Sequence, residues 1–167
     1  MKKIILLTLA IMAMVMPMNL HAEENSGRIK AGVGLLYENG LDLTIGYERE
    51  GSCHNKWEYF ANGYLQWKKC LDCGHICMDS FWKNYRTWSV GAAYKPCTYI
   101  GRNHYGNLRL GASIGSETQK VIEGVHLGYE HSYVVRGRFE LFWGVKTDMM
   151  IGARDLFRTG IVAGFKF

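Results

Sequence analysis

The chain has 167 residues, a formal net charge of +5, 20 glycines, 2 prolines and 13% aromatic residues. This length suits one domain, and the modest positive charge excludes nucleic-acid binding as an expected function. Many glycines and aromatic residues with little proline favour strands that close on themselves. Beyond the N-terminal segment, no stretch approaches the ~20 apolar residues of a membrane-spanning helix.

The N-terminus has the features of a secretory signal peptide. Lys2 and Lys3 form a basic region, and an apolar run follows over 4–16. This run is too short for a membrane helix. We expect cleavage after Ala22, which leaves 23–167 as a single exported domain.

Alternating side chains run along the mature chain. In each predicted strand, every second residue is apolar and is assigned to the outward face, while the residues between are small or polar and are assigned to the inward face. Eight such strands are predicted, at about 28–37, 41–48, 57–68, 87–94, 108–115, 125–130, 139–146 and 155–167. Asn39-Gly40 is a strong hairpin signal between the first two. An even number of short alternating strands predicts an all-β fold, an eight-stranded antiparallel up-and-down transmembrane β-barrel in the outer membrane of a Gram-negative bacterium. The alternative is a soluble β-sandwich.

The last predicted strand carries a second signal. Phe157, Ile161 and Phe165 share its apolar face, and the chain ends on Phe167. A closing strand with a terminal aromatic residue resembles the signal that the outer-membrane assembly machinery recognises. The expected partners are therefore this machinery and outer-membrane lipid.

Charged residues of both signs occupy the inward positions of the predicted strands. They are Lys30, Asp42, Glu48, Glu58, Arg109, Glu130, Glu140, Lys146 and Arg158. An eight-stranded barrel is only wide enough for its side chains to fill it, and buried charges need partners. We therefore predict a closed network of ion pairs, in preference to an ion pathway or a Glu130–Glu140 acid/base dyad. The sequence predicts no catalytic residue and no cofactor.

Five cysteines lie in the exported part of the chain, where disulfides are permitted. Cys53 and Cys97 flank two neighbouring predicted strands at one rim, where a disulfide between them can form if the geometry allows. Cys70, Cys73 and Cys77 share the long loop 69–83 with His75. This loop favours one disulfide and a leftover thiol over a zinc site, which usually needs four ligands.

The same loop bears on enzymatic activity. Its polar residues Asp72, His75, Asp79 and Ser80 resemble the catalytic groups that a lipid-modifying barrel carries at its outer rim. Exposed loops are rich in such residues in any case, and no nucleophile elbow, phosphate loop or zinc-protease motif is present. We therefore expect a protein that is not an enzyme.

A family resemblance lies at the C-terminal end of the chain. Its residues are Trp143-Gly144-Val145-Lys146, Gly152, Asp155-Leu156-Phe157-Arg158 and Gly164-Phe165-Lys166-Phe167. This pattern resembles the tail of the TraO family, which conjugative transposons of Bacteroidales encode. The resemblance implies an outer-membrane component of a conjugative transfer apparatus, with other transfer proteins as partners. The alternatives are a general small outer-membrane barrel for adhesion or envelope defence and, less favoured, a lipid-modifying barrel enzyme.

Overall fold

The structure is a computed structural model that describes residues 27–37, 39–67, 85–117, 120–137 and 139–167. Nine strands account for most of them. They are β1 (Gly27–Leu36), β2 (Gly40–Glu50), β3 (Lys56–Gln66), β4 (Tyr85–Lys95), β5 (Cys97–Ile100), β6 (His104–Glu117), β7 (Lys120–Arg136), β8 (Phe139–Ile151) and β9 (Phe157–Lys166). A 3₁₀ turn, Ser52–His54, lies between β2 and β3. The described residues include no helix that is long and apolar enough to cross a membrane.

The strands form one closed antiparallel barrel. Each strand pairs with the next in sequence, except that β4 pairs with β6, and β1 also pairs with β9. β5 continues the line of β4 beyond Pro96, because both strands pair with the same neighbour, β6. The wall therefore has eight strand positions, and the predicted eight-stranded barrel is confirmed.

The two rims of the barrel differ. The terminal rim, as we call it, carries both ends of the described chain, Gly27 and Phe167, and the connections 51–55, 101–103 and 137–138. The distal rim carries the connections 37–39, 67–84, 118–119 and 152–156. At the first of these, Asn39 adopts a positive φ of 62° before Gly40, as the Asn-Gly hairpin signal predicts.

Side chains alternate between the two faces of the wall. The outward face is apolar, and Leu35, Ile45 and Ile161 are 63–70% exposed. The inward face holds the charged residues, and Lys56, Lys95 and Lys166 are at most 1% exposed. A soluble protein buries its apolar side chains, whereas this wall exposes them around a polar interior. That is the arrangement of a barrel whose solvent is lipid.

Three of the observed strands, β6, β7 and β8, are clearly longer than the sequence predicts. β7 has 17 residues where the alternation predicts 125–130, and β6 has 14 where it predicts 108–115. His131 and His104 stand at outward positions there, so a polar residue interrupts the apolar pattern although the pairing continues. β5 is short and begins next to Pro96, which lacks an N–H for the ladder, and the sequence analysis did not predict it.

Candidate functional site in the barrel lumen

The lumen is filled by charged and polar side chains. All nine inward residues that the sequence predicts are at most 8% exposed. The structure divides them into a large ionic cluster toward the terminal rim, a smaller group around Asp42 and Lys146, and Arg158 at the distal mouth.

Glu130 on β7 is the centre of the ionic cluster. Its carboxylate pairs with Lys30 Nζ at 2.5 Å, Lys166 Nζ at 2.5 Å and Lys95 Nζ. These lysines come from β1, β9 and β4, so a single carboxylate joins four strand positions around the barrel. A buried carboxylate is stable only with such partners, because its desolvation is costly.

Two further carboxylates share these lysines. Glu48 Oε1 lies 2.5 Å from Lys95 Nζ, and Glu58 Oε2 lies 3.1 Å from Lys30 Nζ. The Arg109 guanidinium also donates to Glu58, at 3.3 Å. The cluster therefore alternates in charge through the width of the lumen, and this alternation offsets the cost of burying each ion.

The three carboxylates also meet the spacing of a metal site. Oxygens of Glu48, Glu58 and Glu130 lie within 4.8 Å of one another. The ammonium groups of Lys30 and Lys95 each contact all three of these carboxylates. Since those ammonium groups occupy the positions that a cation would take, the arrangement is an ion-pair network rather than a metal centre.

Three lysines of this network are absent from the predicted set, namely Lys56, Lys95 and Lys166. Lys56 and Lys95 lie one residue outside the predicted strands 57–68 and 87–94, so the alternation was not extended to them. Lys166 stands on the inward face of the predicted last strand, but its role needed the position of Glu130 across the barrel.

The terminal mouth is closed by a second set of contacts. Glu140 accepts from Arg28 and from the hydroxyl of Tyr105, which itself accepts from Lys56 Nζ. The His54 ring stacks on the Tyr105 ring with centroids 5.1 Å apart and planes 5° apart. The backbone oxygen of His54 also accepts from the Asn107 side chain at 3.0 Å. The turn 52–54 thus lies across the terminal mouth of the barrel and covers the ionic cluster.

A separate group of hydrogen-bonded side chains lies toward the distal half. Lys146 Nζ pairs with Asp42 Oδ2 at 2.6 Å and Asp148 Oδ2 at 2.8 Å. Asn62 also donates to Asp42, at 2.7 Å. Asp148 therefore joins Lys146 to a side chain of the neighbouring strand, His126.

Ser113, His126 and Asp148 form a hydrogen-bonded row on β6, β7 and β8. His126 Nδ1–H donates to Asp148 Oδ1 at 2.7 Å, and His126 Nε2 accepts from the Ser113 hydroxyl at 2.6 Å. This is the order of contacts of a serine nucleophile, its base and the orienting acid. All three residues are at most 2% exposed, and the Phe60 ring packs edge-on against His126. Among the described residues, Ser113 is thus enclosed by its neighbours, and the row links three consecutive strands through buried hydrogen bonds.

The sequence analysis did not identify this row. Ser113 and His126 were placed on inward positions, but Asp148 lies two residues beyond the predicted strand 139–146. The sequence feature that indicates such a row is a Ser, a His and an Asp at inward positions of three consecutive strands. Their adjacency depends on the strand register, which places His126 opposite Gly111 and opposite Asp148.

Arg158 fills the distal mouth without a carboxylate bound to it among the described residues. It donates to Thr87 Oγ1 at 2.8 Å, and its guanidinium carbon lies 3.9 Å from the centre of the Tyr64 ring. Arg154 lies over the Tyr85 ring, which also faces Arg158. Cation–π contacts with two tyrosines thus replace the ion pair that the sequence analysis expected for Arg158.

Little open space remains between these groups. A cavity of about 30 Å³ lies between the two clusters, beside Lys30, Glu58, Arg109 and Lys146. This volume holds one or two water molecules, whereas small-molecule sites span about 300–1,000 Å³. The cavity is therefore of a size for water and too small for a substrate.

The cysteine predictions have two outcomes. Cys53 and Cys97 are free thiols, so the disulfide that their shared rim permits is not formed in this structure. Cys53 is exposed on the turn with a positive φ of 57°, while Cys97 Sγ donates to the carbonyl of Tyr99 at 3.3 Å. Cys70, Cys73, Cys77 and the signal segment 1–22 lie outside the described residues.

The four residues of the predicted assembly signal lie on the outer wall. Phe157, Ile161, Phe165 and Phe167 are 43–63% exposed, and Phe165 stacks between Phe139 and Phe167. β9 closes the barrel by pairing with β1. The aromatic face of this strand is therefore available to lipid.

Known structures with this fold are small outer-membrane barrels. Neisserial surface protein A (NspA) is 13% identical, with a TM-score of 0.62 over 86% of this chain and 97% of that one. A major outer membrane protein from Thermus thermophilus is 8% identical, with a TM-score of 0.62 over 87% and 99%. The Yersinia pestis outer membrane protein Ail is 13% identical, with a TM-score of 0.54 over 86% and 100%. The chain thus has the fold of the small transmembrane β-barrels.

Sequence comparison adds no family to this result. No family model matches the chain, and no curated protein matches it in sequence. The class of the protein is therefore defined by its architecture, namely an eight-stranded barrel with an apolar wall and a closed ionic lumen.

Proposed function

We propose that this chain is a non-enzymatic outer-membrane protein of a Gram-negative bacterium, whose barrel serves as a closed structural body. One observation carries the proposal: the wall exposes residues such as Leu35 and Ile161, while the interior buries Lys95 and Glu130. In water the exposed apolar wall would be unfavourable. In a bilayer that wall meets lipid, while the charged groups of the interior stay paired with one another.

The proposed orientation places the terminal rim in the periplasm. Outer-membrane barrels have short periplasmic turns and longer outer loops, and the longest connection of this chain, 67–84, lies at the distal rim. The terminal residue Phe167 then lies where the assembly machinery meets a barrel as it inserts. Membrane lipid and this machinery are the partners that the proposal requires.

A closed lumen supports a structural role over transport or catalysis. Both mouths are filled by side chains, through Tyr105 with His54 at one end and Arg158 with Tyr64 at the other. The 30 Å³ cavity is far below the size of a lipid or sugar site. A lipid-modifying reaction would need a cavity for the acyl chain next to a reactive group.

In its more specific form, the proposal makes the chain an outer-membrane component of a conjugative transfer apparatus. Its support is the resemblance to TraO tails, including Asp155-Leu156-Phe157-Arg158 and the terminal Gly164-Phe165-Lys166-Phe167. An adhesion barrel displays its binding surface on outer loops. Here three of the four distal connections have only two to five residues, 37–39, 118–119 and 152–156, which favours the structural role.

Membrane fractionation with heat modifiability tests the general proposal. The expected result is a band in the outer-membrane fraction that migrates differently with and without boiling, because a closed barrel resists detergent until heated. A periplasmic, soluble protein without a heat shift would overturn it.

Transfer frequency tests the specific proposal. Deletion of the gene in donor cells is expected to lower conjugation at least several-fold, and the full-length gene should restore it. The control is complementation with an unrelated eight-stranded barrel, which should not restore transfer. Unchanged transfer together with reduced attachment to surfaces would favour the adhesion role instead.

A further inference from the structure

Two imidazoles stand on the outer wall near the terminal rim, among aromatic residues. His104 begins β6 and His131 lies on β7, and both point outward because the inward positions are those of Tyr105, Glu130 and Ser132. Most other outward positions of these strands are apolar. An uncompensated polar nitrogen facing lipid is costly, so these rings require partners.

Hydrogen bonds between neighbouring side chains provide some of the partners that these two rings need. His104 Nδ1 lies 3.0 Å from His131 Nε2, and His131 Nδ1 lies 3.0 Å from the Tyr129 hydroxyl. When the tyrosine donates to His131 and His131 donates to His104, each neutral ring holds its single proton in a consistent place. His104 Nε2–H is then the outer end of the chain, a donor without a partner in this chain of bonds.

The surroundings hold His104 in this position. The Tyr99 and Tyr133 ring centroids lie 5.3 Å and 5.6 Å from that of His104, and both tyrosines are nearly half exposed. The ring also lies against Gly101, where an added Cβ would fall 2.5 Å from His104 Nε2. The adjacent turn 101–103 contributes Arg102, an exposed cation.

We propose that the His104–His131 pair, with Arg102, binds the phosphate group of an anionic phospholipid in the periplasmic leaflet. Aromatic residues of membrane proteins gather at the headgroup level, where lipid phosphates lie. An imidazole N–H and a guanidinium are donors that match a phosphate oxygen, and burial beside lipid strengthens such bonds. This inference rests on the proposed membrane location and orientation of the barrel.

Native mass spectrometry of the full-length mature barrel tests the proposal. The protein is inserted into nanodiscs of phosphatidylglycerol and phosphatidylcholine in equal parts, and the lipids that stay bound on release are counted. The wild type is expected to retain phosphatidylglycerol preferentially. The double variant His104→Phe, His131→Phe keeps an aromatic ring at each position but removes the N–H donors, and it is expected to lower that retention roughly tenfold, the factor for one lost hydrogen bond to a charged group.

Two controls separate the outcomes. Tyr59→Phe removes an exposed outer-wall hydroxyl on β3 and should retain lipid as the wild type does. Heat modifiability of each sample reports folding, so a barrel that never inserts contradicts the proposed function and not the lipid site. Equal phosphatidylglycerol retention by the folded wild type and the folded double variant would overturn the inference.

A second measurement reports the contact directly. With ¹⁵N-labelled histidine, the Nε2 resonance of His104 should shift between nanodiscs of digalactosyldiacylglycerol, a bilayer lipid without phosphate, and nanodiscs that contain phosphatidylglycerol. Excess inorganic phosphate should not reproduce the shift, because a free ion lacks the lipid anchor. An unchanged resonance would also overturn the inference.

Discussion

Lys30 Nζ on β1 lies 2.5 Å from Glu130 Oε2 on β7, although β8 and β9 separate those two strands in the wall. The pair therefore crosses the lumen instead of following the sheet. Together with Lys95 on β4 and Lys166 on β9, it ties opposite sides of the barrel. Ionic contacts in this interior take the place that apolar packing has in a soluble protein.

The first prediction concerns the centre of that cluster. Glu130→Gln leaves three buried lysines with one fewer carboxylate, and the expected loss is about 3–5 kcal/mol of unfolding free energy, as for broken buried ion pairs. Urea unfolding in lipid vesicles measures it. Lys120→Gln, at an exposed position beside the distal rim, is the control and should change stability by less than about 0.5 kcal/mol.

A double variant sharpens this test. Lys30→Met combined with Glu130→Gln removes both ends of one pair, so its cost should be smaller than the sum of the two single costs. Additive costs would show that Lys30 and Glu130 do not interact, contrary to their 2.5 Å contact.

The second prediction concerns permeability. Because side chains fill the lumen and both mouths, the folded wild type in a planar bilayer should give no steady ionic current. Double substitution of the distal mouth, Tyr64→Ala with Arg158→Ala, removes two stacked side chains and should raise the frequency of brief openings. A stable conductance in the wild type would contradict the closed lumen.

Two glycines give the third prediction. A Cβ at Gly124 would lie 2.6 Å from Ser113 Oγ and 2.8 Å from Met150 Sδ, so Gly124→Ala should destabilise the barrel by roughly 1–3 kcal/mol. At Gly63 nothing lies within 4 Å of an added Cβ. Gly63→Ala is thus the matched control, and it should be neutral or stabilise the barrel by up to about 1 kcal/mol. Equal effects of the two variants would mean that the lumen around Ser113 is not packed.

The architecture was predictable because period-two alternation sorts residues into faces before any pairing is known. Asp42 and Glu48 could be assigned to the lumen from β2 alone. The ion-pair partner of each charged residue could not be predicted in this way, because the contact of Lys166 with Glu130 depends on the curvature and the strand register of the whole barrel. The free thiols of Cys53 and Cys97 show the same limit, since sharing a rim does not fix the distance between two side chains.

The outward histidines mark another limit of the sequence analysis. The predicted strands 108–115 and 125–130 exclude His104 and His131, which are polar residues at outward positions. In the structure the two rings hydrogen-bond to each other and His131 also bonds to Tyr129, and the strands continue through both positions. A polar residue at an outward position therefore did not indicate the end of a strand in either case.

The last prediction concerns the row of Ser113, His126 and Asp148. Its distances match those of a hydrolase, but the row is buried, so a fluorophosphonate probe should leave the folded wild type unlabelled. Ser113→Ala should lower stability by about 1–3 kcal/mol, because His126 Nε2 then loses its buried donor. Mass spectrometry of the intact protein detects the adduct, and urea unfolding gives the stability. Labelling of the folded wild type that Ser113→Ala and His126→Gln both abolish would show that Ser113 is reached and activated, and the non-enzymatic assignment would then be wrong.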